Sequence, residues 1–253
     1  MLTARDITDI QAEFVADPFL ILANGIWHMF FEALDLRSSS GAIALATSAD
    51  AQTWTYRQIV LREPFHLSYP YVFEHGGEYY MVPESGRMGA VRLYHAKPFP
   101  CRWRLVDTLI NLPLADSSVI RFQDRWWLLG TQENRALHIF HADQLSGPWS
   151  EHPKSPLIHN KADRVRSAGR IIPWEGGLLR YTQDCETVYG ARVWPNLVTV
   201  LSPTDYAERH LEKVVAGPGT DPWNKGGMHH VDPHLTAEGD WLACVDGWFA
   251  EEA

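Results

Sequence analysis

Only three cysteines, Cys101, Cys185 and Cys244, occur in 253 residues. An odd and widely spaced set is no disulfide framework, and it suits a reducing compartment. No run of Lys and Arg appears anywhere, and acidic residues (31) outnumber basic ones (22), for a net charge of −9. The basic patch that nucleic-acid binding requires is therefore missing, and anionic membranes are equally poor partners. No stretch of about 18 uncharged apolar residues is present, so no membrane span is expected. The opening MLTARDITDIQ lacks the basic-then-apolar pattern of a signal peptide, which makes a cytoplasmic chain the expectation. HExxH, CxxC, GxSxG, a P-loop and a GxGxxG before a helix are all absent. Zincin chemistry, serine hydrolysis and Gly-rich phosphate cradling drop out with them. No metal site and no cofactor are expected, with a calcium ion in a central channel left as an open alternative.

Aromatic residues are plentiful: 11 Trp, 9 Tyr and 10 Phe. Most should fill a core, but flat rings with polar rims also suit surfaces that meet the C–H faces of sugars. Their distribution is periodic. Five segments align, ADPFLILANGIWHMFFE from Ala16, SYPYVFEHGGEYYMVPE from Ser68, ADSSVIRFQDRWWLLGT from Ala115, AGRIIPWEGGLLRYTQD from Ala168 and VDPHLTAEGDWLACVDG from Val231. The repeat of about fifty residues is that of propeller blades. With Asp17, Tyr69, Asp116, Gly169 and Asp232 as equivalent anchors, a turn position follows seven residues later at Asn24, Gly76, Gln123, Gly176 and Gly239. Four of these five are Asn or Gly, which accept the positive φ of tight hairpin turns. Each segment reads as a hairpin, followed in most units by a third strand and a second turn marked by Trp54, Trp103, Trp149 or, in the fourth, Tyr206. The reading is all-β: a single five-bladed β-propeller over residues 1–253, with blades starting near 16, 68, 115, 168 and 231. Residues 1–15 are expected to add an outer strand to the short fifth blade and close the ring, removing exposed strand edges.

In a hairpin the start of the first strand lies beside the end of the second. The anchors should therefore meet Glu32, Glu84, Thr131, Asp184 and Asp246 at one rim, together with His229, His230 and Arg170. Seven carboxylates so gathered would repel one another and raise some of their pKa values, which is how a site acquires one acid and one base at neutral pH. Other readings compete. An Asp in ADP or VDP often only bonds backbone amides in an Asx-turn, and His229–His230 suits either core packing or substrate binding. Trp223, in DPWNKGG, belongs to a substrate-contacting loop or to a plain turn.

The order of ADPFL, FFE, PFHLSYPYVFE, YYMVPES, VRLYHA, WWLLGT, QDC and GMHHVDP resembles the five-bladed propellers of glycoside hydrolase families 43, 32 and 68. Within that superfamily it is most similar to the N-terminal domain of glucosamine inositolphosphorylceramide transferases and its bacterial stand-alone relatives. The resemblance covers nearly the whole chain. It implies that Asp17 matches the hydrolases' general base, that Asp116 matches the carboxylate tuning the acid, and that His230 lies near a central His. It also marks a departure: the general acid, a Glu at the start of blade four, is replaced by RSAGR, Arg166 to Arg170. Asp184 and Glu84 are the substitutes on offer. In the plant transferases the sugar-transfer chemistry belongs to a separate domain.

Two functions follow. One is a glycoside hydrolase with Asp17 as base or nucleophile, Glu84 or Asp184 as acid and Asp116 supporting. Glu32, Tyr69, Tyr71, Arg170, His229, His230, Asp232, Trp223 and Asp246 would bind substrate, with Tyr69, Tyr71 and Trp223 stacking and Arg170 meeting an acidic sugar or phosphate. The other is a glycan-binding or accessory module of polysaccharide or glycolipid synthesis that has lost hydrolysis. The partner in either case is an oligosaccharide, glycoside or sugar conjugate. A protein-binding propeller is a distant third reading, which an exposed apolar patch would mark.

Overall fold

A computed structural model describes residues 1–249. The fold is a β-propeller, and the chain divides into two compact units, Met1–Pro113 and Leu114–Ala253. In the first unit, β1 (Ala12–Ala23), β2 (Ile26–Asp35), β3 (Ser40–Ser48) and β4 (Thr55–Leu61) form one four-stranded antiparallel meander. A second consists of β5 (Ser68–His75), β6 (Glu78–Glu84), β7 (Val91–Ala96) and β8 (Trp103–Ile110). The second unit opens with β9 (Leu114–Phe122), β10 (Arg125–Gln132), β11 (Ala136–Ala142) and β12 (Ser150–Glu151), with β13 (Ile158–His159) also on β11. Blade four follows as β14 (Ile172–Trp174), β15 (Gly177–Asp184), β16 (Arg192–Leu201) and β17 (Tyr206–His210). The last sheet has two strands, β18 (Val231–Leu235) and β19 (Trp241–Val245). Among the described residues no helix is long and apolar enough to cross a membrane.

The expected blade starts agree with β1, β5, β9, β14 and β18 to within a few residues. Four full blades, each of at least four strands, are found where five were expected; the fifth repeat, at the place of blade five, forms only a two-stranded hairpin. Among the described residues the last sheet pairs β18 with β19, without the outer strand expected from residues 1–15. Ala12 and Val15 instead lengthen β1, opposite Asp35 and Ala33 of β2. Ahead of them a 3₁₀ turn spans Ala4–Asp6. Asp9 then accepts hydrogen bonds from the Tyr56 hydroxyl and from the Ile59 amide. The leading segment therefore covers part of the outer edge of blade one, because β4 offers it unpaired amides.

The hairpin turns are where the sequence put them. Asn24–Gly25, Gly76–Gly77, Gln123–Asp124 and Glu175–Gly176 all have left-handed backbones at both positions, the twist that joins antiparallel strands without splaying them. Between blades three and four, Trp127, Leu129, Leu137, Ile139, Ile171, Leu178 and Val198 make one continuous apolar core. Tyr206 packs against the edge of this core. Its hydroxyl donates to Glu208 Oε2 at 2.5 Å, and Glu208 takes two bonds, of 2.8 and 3.1 Å, from the wholly buried Arg180. Burial pushes the Glu208 carboxyl up, and the Arg180 charge together with the hydrogen bonds from Arg180 and Tyr206 brings it below its ordinary value.

The innermost strands of blades four and five approach more closely than any side chain allows. Gly169 bridges Val231 in parallel, and its φ is +125°. A Cβ there would lie 1.8 Å from the Val231 carbonyl oxygen. Gly25, also left-handed at +74°, has open space around it. Gly25→Ala is therefore expected to cost only backbone strain, about 1 kcal/mol. Gly169→Ala adds a collision with main chain and should cost about 3 kcal/mol or more. Urea unfolding of the two variants beside the wild type checks the order.

Candidate functional site

One backbone feature recurs at the anchors. Asp17, Tyr69 and Asp116 have φ of 53°, 45° and 47°. Each falls where the first strand of its blade carries one residue more than the second: between Ala16 and Phe19, between Ser68 and Tyr71, and between Ala115 and Ser118. A bulge re-aims the side chain at its extra residue. Asp tolerates the left-handed region because its short polar side chain bonds locally, whereas Tyr at +45° is a true outlier. Gly169 is the fourth member of the series; Asp232, in β18, shows no such twist. The strand-end partners are also as expected, with Glu32 opposite Ala16, Glu84 opposite Ser68 and Thr131 opposite Ala115.

In the first unit Asp17 and Glu32 are both buried, and Glu84 is half-buried. The Gly41 amide donates to His66 Nδ1 at 2.9 Å. The other ring nitrogen therefore carries the proton that faces Glu32 Oε1 at 3.3 Å. Burial and the nearby Arg87 hold the His66 pKa below its ordinary value, so the ring is neutral. Tyr69 and Tyr71 were expected to stack on sugar. Both are packing residues with almost no exposed surface. The Phe19 ring meets Tyr69 edge-on at 4.8 Å and Tyr71 at 5.2 Å.

The second unit holds the remaining candidates, and its electrostatics differ from the expectation. Asp116, fully buried, accepts from Arg166 Nε and, at 3.1 Å, from Gln183 Nε2. Asp232, also fully buried, faces Arg170 Nε at 2.6 Å and His234 Nε2 at 2.7 Å. Asp246 accepts from the His229 amide at 3.1 Å and faces His229 Nδ1 at the same distance. Asp184 accepts from Trp194 Nε1 at 3.1 Å and from the Glu186 amide at 3.0 Å, with Arg192 Nε 3.5 Å away. Carboxylates do gather in this unit, and each faces an arginine or a histidine. Side chains from other strands and loops thus hold Asp116 and Asp232. Trp223 sits at the edge of the core between blades four and five with Met228, Val231 and Val245, and its ring lies against Gly247.

His230 is completely buried between these pairs. Burial lowers its pKa to about 4, against the opposite pull of Asp246 and Asp232 and later of Asp116, while His229 pushes the same way as burial. It is a neutral core histidine. Asp246 and His229 could each offer a ligand atom to a cation.

The residues that sequence reading missed are the partners. Arg166 lay in RSAGR, noted for the acid it lacks, and Gln183 and His66 lay inside QDC and PFHLSYP. A basic or amide residue at a strand end near a repeated Asp was the available signal. A pH dependence follows from His230. The unfolded imidazole takes a proton near 6.5 and the folded one only near 4, so between these values the unfolded state binds more protons. Stability should be intact above pH 6.5 and fall as pH drops toward 4, by on the order of 3 kcal/mol. His230→Asn should flatten that slope in thermal melts across the range.

Similarity to known proteins agrees with this geometry. The family described as "Glucosamine inositolphosphorylceramide transferase 1, N-terminal" matches residues 1–248. The glucosamine inositolphosphorylceramide transferase 1 of Oryza sativa subsp. japonica is 37% identical over 247 residues, covering 93% of this chain and 33% of the relative. That of Arabidopsis thaliana is 33% identical over 260 residues, covering 98% and 34%. The chain thus spans about a third of the length of these curated relatives. Among solved structures, the catalytic domain of a GH62 α-L-arabinofuranosidase from Coprinopsis cinerea has a TM-score of 0.73 at 13% identity, over 97% of this chain and 87% of that one. An α-L-arabinofuranosidase from Podospora anserina, in complex with cellotriose, gives 0.70 at 15%, over 94% and 85%. These structures share the propeller fold, and the sequence match carries the kinship: the chain belongs to the family of the glucosamine inositolphosphorylceramide transferase 1 N-terminal domain.

Proposed function

We propose that this chain is a carbohydrate-binding propeller that recognises a sugar without hydrolysing it, as an accessory module in glycolipid or polysaccharide synthesis. The observation that carries this reading is the blade-four strand start. Gly169 has no room for a side chain beside the Val231 carbonyl, so an acid cannot stand there. Asp184, the substitute in the same blade, turns both oxygens toward its own hairpin, to Trp194, Glu186 and Arg192. A general acid must instead present its proton to the leaving oxygen. The relatives, named as transferases of glucosamine and inositolphosphorylceramide, support a role in building glycoconjugates.

Hydrolysis is the second reading, favoured by the fold of the arabinofuranosidases. It would use Asp17 as base and Glu84, at the end of β6, as acid. The two readings differ in one assay. Purified protein is offered aryl α-L-arabinofuranosides, aryl galactosides and cellotriose, with turnover and binding measured on the same samples. We expect binding without turnover, weakened about tenfold by Asp17→Asn and by Glu84→Gln, the loss of roughly one good hydrogen bond. Turnover abolished by both substitutions in folded protein would establish a glycosidase instead.

A further inference from the structure

The loop between β15 and β16 places an aromatic ring against the polar cluster of the second unit. Glu186 to Tyr189 are exposed, and Tyr189 keeps 51% of its surface in solvent. A single exposed Tyr is ordinary on a protein surface. This one differs in what it touches. The Arg166 guanidinium lies over the ring, 5.0 Å from its centroid, and Arg166 is the residue that holds Asp116. The His229 ring is 5.5 Å away, tilted by 54°, and His229 is the partner of Asp246.

The loop is also clamped behind the ring. Gly190 is left-handed, at +66°, and a Cβ there would meet the His229 Cβ at 2.6 Å. The Gly190 carbonyl accepts from Trp248 Nε1 at 3.3 Å, and the Ala191 amide donates to the Asp184 carbonyl at 2.9 Å. An exposed ring on so fixed a backbone loses little freedom when something stacks on it, which is what preorganisation for binding requires.

Charge narrows what stacks. Blade four and its approach carry six arginines; Arg209 is exposed on β17, and the other five each face a carboxylate. The pairs are Arg164–Asp163 at 2.8 Å, Arg166–Asp116, Arg170–Asp232 at 2.6 Å, Arg180–Glu208 at 2.8 Å and Arg192–Asp184 at 3.5 Å. A uronate or phosphate reaching Arg166 or Arg170 would meet a guanidinium whose charge is already shared with a fully buried Asp, so each pair attracts an anion less than a lone arginine would. We propose that Tyr189 is a stacking platform for an uncharged sugar ring, and that the neutralised arginines beside it discriminate against acidic and phosphorylated sugars. The proposal rests on the carbohydrate-binding reading and adds to it a residue and a charge class.

The test is ligand-observed NMR and titration calorimetry on the intact chain. The neutral probes are methyl α-L-arabinofuranoside, methyl β-D-galactopyranoside and cellotriose; the charged ones are glucuronic acid and glucose 6-phosphate. We expect at least one neutral probe to bind, and the charged probes to bind at least about tenfold more weakly at both 20 and 200 mM salt. Tyr189→Ala should weaken the neutral probe about five- to tenfold while Tyr189→Phe, which keeps the ring, retains it. Unchanged affinity in Tyr189→Ala overturns the platform while leaving carbohydrate binding intact. Tighter binding of a charged probe, falling with salt, overturns the discrimination. Failure of the wild type to bind any of the five overturns both the platform and the reading beneath it.

Discussion

Everything proposed for this propeller depends on a backbone twist at the start of its blades. One extra residue, held left-handed, interrupts the first hairpin at Asp17, Tyr69 and Asp116. In the fourth blade the equivalent position is Gly169, also at positive φ but at +125°. Non-glycine residues adopt the left-handed conformation at a cost of the order of 1–2 kcal/mol each, and the surrounding ladder of strand pairs holds them there. The return is directional. A side chain at a bulge leaves the alternation of the pleat, so the anchor of each blade is aimed differently from its neighbours in the strand.

In the second unit the buried carboxylates have basic side chains as partners: Asp116, Asp232 and Asp184 each face an arginine, and Asp246 a histidine. Paired charges of this kind fix geometry more than they add stability. The neutral His230 between them, its pKa pushed down to about 4, adds no further positive charge at neutral pH. Such an arrangement resembles a rigid polar socket more than an acid–base machine. It is the physical reason for preferring recognition over hydrolysis.

The hairpin period and its turns were legible because they rest on local chemistry: Asn, Gly and paired turn residues at a fixed offset, flanked by apolar strands. Asp17 and Asp116 stood out because repetition exposed them. The bulge was not legible, since Asp and Tyr do not announce a positive φ. The roles of Tyr69 and Tyr71 were misread for a related reason: aromatic character is the same in a core as on a sugar platform, and only burial against Phe19 separates the two. Arg166 escaped notice because its partner lies fifty residues away in blade three. Tyr189 has no sequence signal at all; its interest lies in neighbours that the fold alone assembles. The role of the N-terminal residues was misplaced because an edge to cover exists in blade one as well as in blade five.

The contact between Gly169 and Val231 constrains how this chain could change with time. Substitution at position 169 meets main chain, not a side chain that could turn aside. Any mutational path toward a carboxylate there must first draw the innermost strand of blade five away, and that strand also carries Asp232. The order of steps is forced: the strand that keeps one charge pair intact must yield before a new acid can arrive. Placing an acid at this position is thus a two-element rearrangement.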